Sequence, residues 1–143
     1  MKPTQDCYNE ITAATTVADR IAIAKALYAD RATSRNMPDT WQVAQIVVAA
    51  MPALTGVSER QIAYGVDLRA EAILDAWRAT CQATLRGQRL HHSNATVLDI
   101  LALFVGCAAE DSAKAWIEGA GKKAMQAALT ARKDDIFALL GIK

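Results

Sequence analysis

The chain has 143 residues, 52% of them hydrophobic, with 16 basic and 15 acidic side chains and a net charge of +1. That length suits one domain, and the apolar content supports a packed core and excludes a disordered chain. The even balance excludes the strong basic field that marks most nucleic-acid binders, and there is no acidic block.

Alanine makes up about one residue in five, while glycine and proline number seven and three. Intrinsic propensity therefore favours helix, and alternation with period two is scarce, so no sheet is expected. The expected fold is all-α, a single domain over 1–143. Five or six helices would pack around a long central helix at about 58–86 and a buried apolar helix at about 96–108.

The first helical signal runs from Cys7 to Tyr28, with Ile11, Ala14, Val17, Ile21 and Ala24 at four-three spacing. Thr16 and Asp19 have the spacing of a capping box, which splits the segment into a short leading helix and a firmer one at 16–31. Residues 32–38 read as a loop. Asp39 then caps a helix from Thr40, which Pro52 ends near Met51 or after a kinked last turn to Leu54.

The central stretch carries apolar matter on two sides. Ile62, Val66, Ala70, Ile73, Leu74, Trp77 and Cys81 form one stripe. Gly65, Ala72, Ala76, Ala79 and Ala83 form a second row of small residues that admits a close neighbour. Ser58 and Gln61 predict a capping box at its start, and Gly87 predicts its end. A helix flanked on both sides is central to the bundle.

After the polar segment 88–94, residues 97–105 are apolar almost all round and predict the most buried helix. Too short to cross a membrane and interrupted by Asp99, this run predicts no span. A further helix is expected from Asp111 or Ser112 to about Arg132. Its predicted inward residues are Trp116, Ile117, Ala120, Ala124, Ala127, Ala128 and Ala131. Gly119 and Gly121 inside it predict a close neighbour or a bend. Asp134 would cap a last amphipathic turn stopped by Gly141.

The twelve residues LTGVSERQIAYG resemble the turn of a helix-turn-helix motif, through Gly56, Val57, Ser58, Arg60, Gln61 and Ile62. The resemblance implies a second helix in the major groove, with Glu59, Arg60 and Ala63 facing DNA. Pro52 and the length of the following helix depart from that motif. A turn between two packed helices uses the same residues for geometry alone.

Other candidates are sparse. Asp67, Glu71 and Asp75 fall on one helical face, a pattern for acid-base work, a divalent cation or a solvated surface. His91 and His92, with Arg86 and Arg89, make the one local basic cluster. The three scattered cysteines have neither zinc-site nor disulfide spacing and predict buried reduced thiols. No catalytic elbow, phosphate loop, metal set or cofactor signature occurs.

The functional expectation is a non-enzymatic protein–protein interaction module, a small regulator, inhibitor or accessory factor. Trp41, Arg86, Arg89, His91 and His92 are the candidate partner-binding residues. Neutrality and surplus small apolar surface also predict a homodimer. The start MKPTQDCYNE carries no apolar signal run, so a cytoplasmic location is expected. The alternatives are a DNA-binding regulator using the turn at 52–63, and an enzyme or metal site on the Asp67–Glu71–Asp75 face.

Overall fold

The computed structural model describes residues 4–14, 16–29, 40–87 and 94–140. They form α1 (Thr4–Ala13), α2 (Val17–Ala29), α3 (Thr40–Ala49), α4 (Glu59–Gly87), α5 (Asn94–Cys107), α6 (Ala113–Glu118), α7 (Ala120–Ala131) and α8 (Lys133–Leu140). The fold is the expected all-α bundle, with the helix expected over 112–132 divided in two. One isolated parallel bridge, Thr55 to Ser112, takes the place of any sheet among the described residues. No described helix is long and apolar enough to cross a membrane. The expected loop at 32–38 and the Asp39 cap lie outside the described residues.

The corner between α1 and α2 forms where Thr16 predicts it, with the Thr16 hydroxyl accepting from the Asp19 N–H at 3.1 Å. Arg20 then fastens that corner. Its Nε donates to the Ala14 carbonyl at 2.9 Å and one Nη to Thr12 at 3.3 Å. The other Nη reaches the Ile46 carbonyl of α3 at 3.3 Å. That carbonyl needs an outside donor because Ala50 and Met51 donate only three residues back, to Val47 and Val48. This tightened turn stops α3 at Ala49, ahead of Pro52 and two residues short of Met51, the nearer of the two expected ends.

α4 is enclosed along its large stripe and along the small row from Gly65 to Ala76, whereas Ala79 of that row is exposed. Ile73 and Trp77 are buried, and Ile62, Val66, Ala70 and Leu74 are half-buried around them. α3 meets the Trp77 side through Trp41, whose ring stacks on Trp77. α6 meets the small-residue side at Gly65, where an added Cβ would stand 2.8 Å from both Cα and Cβ of Ala113. That contact fills part of the row of small residues offered as a reason for a second copy. α5 supplies the centre of the core: Leu98, Ile100, Leu101 and Phe104 are all sealed. It packs against α2, α3, α4, α7 and α8.

The expected helix from Ser112 to Arg132 is two helices. Ser112 caps α6, its hydroxyl accepting from the Ala115 N–H at 3.3 Å. Gly119 ends α6 with φ +91°, a left-handed conformation that glycine adopts without strain. Gly121 opens onto the ring of Trp116, which an added Cβ would meet at 2.7–3.0 Å. The break therefore makes the bend, and the next glycine makes the close approach. It also resets the phase of α7, whose buried residues are Gly121 and Met125, with Ala128 and Leu129 half-buried. The expected inward residues Ala120, Ala124, Ala127 and Ala131 are exposed.

Candidate functional site

The turn into α4 is a closed hydrogen-bonded unit. The Ser58 hydroxyl accepts from the Gln61 N–H at 3.1 Å, and Gln61 Oε1 accepts from the Val57 N–H at 2.7 Å. The expected box thus forms with its return arm reaching one residue further back. A side chain at Gly56 would crowd it, because a Cβ there would stand 2.8 Å from Gln61 Oε1 and 2.9 Å from Ile62 Cγ1. Thr55 ties the same turn to α6: its N–H donates to the Asp111 carbonyl at 2.7 Å, and its carbonyl accepts from the Ala113 N–H at 2.8 Å. The unit therefore has a structural task, joining α4 to α6.

Glu59, Arg60 and Ala63, the residues that the helix-turn-helix resemblance turns towards DNA, are all exposed. Val57 beside them is 92% exposed. Residues 50–58 separate α3 from α4, whereas the motif uses a turn of about three or four residues. A shallow hollow is lined by Ser58, Arg60, Gln61 and Tyr64.

Trp41 is half-buried and already engaged. Its ring centroid lies 6.1 Å from that of Trp77 at an interplanar angle of 15°, and the Arg78 guanidinium carbon lies 5.3 Å from it. Arg86 belongs to α4, with a side chain outside the described set; Arg89, His91 and His92 lie outside the described residues.

The acidic face of α4 divides. Asp67, Glu71 and Asp75 are all exposed, as their spacing predicts. Glu71 and Asp75, but not Asp67, line a cavity of about 360 Å³ between α4 and the α6–α7 corner. Lys122 and Gln126 of α7 line its other wall, and its apolar lining combines half-buried Leu68, Ala72 and Ala76 with the nearly sealed Trp116 and Met125. Among the described residues no group of three or more His, Cys, Asp or Glu could hold a metal ion. Cys107 is a free, half-buried thiol whose pKa burial pushes up, against a smaller opposing pull from Arg132. Cys7 and Cys81 have side chains outside the described set.

A second concavity, about 460 Å³, lies between α2 and α5. Ile21, Ala18 and Ala22 line one side, and Ala102, Val105 and Gly106 the other. Lys25 at its edge is held by Asp99 at 2.5 Å. The groove is thus apolar, shallow and locally neutralised.

One residue went unread in the sequence. Arg69 is only 4% exposed, and its Nε is a buried polar atom without a hydrogen-bond partner among the described residues. Burial lowers its pKa by penalising the charged form. At 100° per residue Arg69 falls between the small row at Gly65 and the large stripe at Ile73, one turn from each. A cation at the middle of an otherwise apolar arc is the signal that could have found it.

No protein-family model, no curated protein and no solved structure matches this chain.

Proposed function

We propose that the chain is a non-enzymatic protein–protein interaction module, and that the groove between α2 and α5 receives one amphipathic helix of another protein. The observation that carries this is the groove's composition: alanines, a glycine and aliphatic side chains on two facing helices. Small residues on both walls let a third helix approach closely, as ridges into a groove. Lys25 is neutralised by Asp99, so selection would come from shape and apolar contact.

The concave shape favours a different protein over a second copy. A two-fold interface sets a patch against itself, and two facing grooves would leave a void. The large apolar side chains exposed among the described residues, Val57, Tyr64 and Phe137, stand on other elements and offer no ridge to fill it. The module would serve as a small regulator, inhibitor or accessory factor in a reducing, cytoplasmic setting, with the free thiol of Cys107 in keeping with that.

The test places a photo-crosslinking residue at exposed position 22 in the native host, with position 64 as the control. Cross-links from position 22 to a helical segment of one other protein, lost with Ala102→Arg, are the expected result. Cross-links only to this chain's own sequence, or none above the control, overturn the reading.

A second reading is supported by the exposure of Arg60 and Ala63 beside the hollow at Tyr64: a DNA-binding regulator using the 52–63 turn. Against it stand the long 50–58 connection and the acidic Glu59. Duplex affinity that falls steeply with salt and is lost in Arg60→Ala supports it; a flat salt dependence removes it.

A further inference from the structure

We propose that the cavity between α4 and α7 binds a small zwitterion with an apolar side chain, of the free α-amino acid class. This site lies apart from the α2–α5 groove and does not depend on it.

The walls carry opposite charge at matched helical spacing. Glu71 and Asp75 stand one turn apart on α4, and Lys122 and Gln126 stand one turn apart on α7. Among the described residues none of these four makes an ion pair or a side-chain hydrogen bond, so the acidic wall and Lys122 do not close on each other. The backbone fixes the gap. Gly119 turns the chain with φ +91°, and Gly121 sets α7 directly against the ring of Trp116. That ring is held in turn by its Nε1, which donates to the Glu110 carbonyl at 2.8 Å. The spacing of the walls is therefore set by a glycine corner and an anchored ring, not by flexible side chains.

Each part of the cavity calls for one part of the ligand. Two carboxylates on one wall suit an ammonium group, and an ammonium with an amide on the other suits a carboxylate. Leu68, Ala72 and Ala76 along α4 offer partly open aliphatic surface to an apolar side chain, while Trp116 and Met125 in the same lining are almost sealed. A volume of about 360 Å³ is at the small end for ligand sites, which suits a single amino acid. Exposed charge pairs are individually weak, so affinity needs both walls engaged at once.

The test is calorimetric titration of the whole chain with L-phenylalanine and L-leucine, beside phenethylamine, which lacks the carboxylate, and 3-phenylpropionate, which lacks the ammonium. The expected result is saturable binding of at least one amino acid, with both truncated analogues weaker by about tenfold or more. Glu71→Gln with Asp75→Asn should bring L-phenylalanine down to the level of 3-phenylpropionate. Lys122→Gln should bring it down to that of phenethylamine. All three positions are exposed, and circular dichroism checks that each variant keeps its helices. No saturable binding of either amino acid, an amine that binds as well as its amino acid, or affinity indifferent to these substitutions in folded protein overturns the proposal.

Discussion

Gly65 of α4 and Ala113 of α6 meet backbone to backbone: a Cβ built on Gly65 would lie 2.8 Å from both Cα and Cβ of Ala113. Helix propensity alone would reward Gly65→Ala by roughly 0.5–1 kcal/mol. The clash opposes it, because the atom in the way belongs to backbone that is hydrogen-bonded to Thr55 on its other side. Overpacking of this kind costs about 1–3 kcal/mol, so the expected net effect is destabilisation, read as a lower denaturant midpoint. Gly106→Ala is the matched control. Its Cβ would meet nothing within 4 Å, and a gain of up to about 1 kcal/mol is expected.

Gly119 is held by its dihedral alone. Its φ is +91°, and no atom lies within 4 Å of an added Cβ. Gly119→Ala should therefore cost about 1–2 kcal/mol from left-handed strain. Gly119→Asn should cost less, because asparagine tolerates that region. Thermal unfolding of the two variants orders them; equal losses would mean that contact, not backbone conformation, sets the penalty.

The sequence carried the bundle well wherever period and punctuation agreed. Ile73 and Trp77 on one stripe, Gly65 on the other, the Thr16 corner and the Ser58 cap are each local patterns with one structural solution. The break at Gly119 was harder, since two glycines in one helical segment allow a bend, a close approach or both. Once the helix broke, the phase of α7 could not be continued from α6, and Met125 replaced the alanines as its inward residue. The cavity was half legible: the i, i+4 spacing put Glu71 and Asp75 together, but Lys122 faces them only through tertiary packing. Arg69 was not legible as a buried residue, because a lone charge between two apolar stripes reads equally well as a solvated side chain.

Arg69 should be a net cost to stability. A buried guanidinium whose Nε lacks a partner among the described residues forfeits hydration without full compensation, a loss on the order of 1 kcal/mol. Arg69→Met, which keeps an unbranched stem and drops the charge, is expected to raise the melting temperature. Burial lowers the pKa of Arg69, but a guanidinium is charged at neutral pH in folded and unfolded chains alike. Its penalty is then constant with pH. It lessens only in strong alkali, where the folded state sheds its proton first and stability rises with pH. A gain that is flat across neutral pH is the expected signature; a loss of stability would mean that Arg69 is better solvated or bonded than its burial implies.

Cys107 should react slowly and make the fold sensitive to alkali. Burial raises its pKa from 9.0, and the opposing pull of Arg132 is smaller. Site-resolved alkylation near neutral pH is expected to be several-fold slower than in the unfolded chain, because the thiolate is the nucleophile. The folded pKa lies above the unfolded one, so the stabilisation is complete below pH 9 and is lost as pH rises through the folded value. Cys107→Ser should remove that alkaline loss while leaving the profile below pH 9 unchanged. Fast alkylation in the native state would place the thiol in water.

Trp41 was a candidate anchor for a partner, but its ring is partly committed within the chain, stacked on Trp77 with the Arg78 guanidinium 5.3 Å from its centroid. Trp41→Ala should cost less than the roughly 3–5 kcal/mol of a fully buried tryptophan, since Trp41 is only half-buried. The double-mutant cycle of Trp41→Ala with Arg78→Ala isolates the cation–π term, and a coupling of about 0.5–1 kcal/mol is expected. A coupling indistinguishable from zero would mean that Arg78 is free to leave the ring. Trp41 would then have an open face to offer a partner. A measured coupling makes the opposite case: any partner reaching Trp41 must first displace Arg78, so Arg78→Ala should strengthen a partner contact at Trp41 while it weakens the fold.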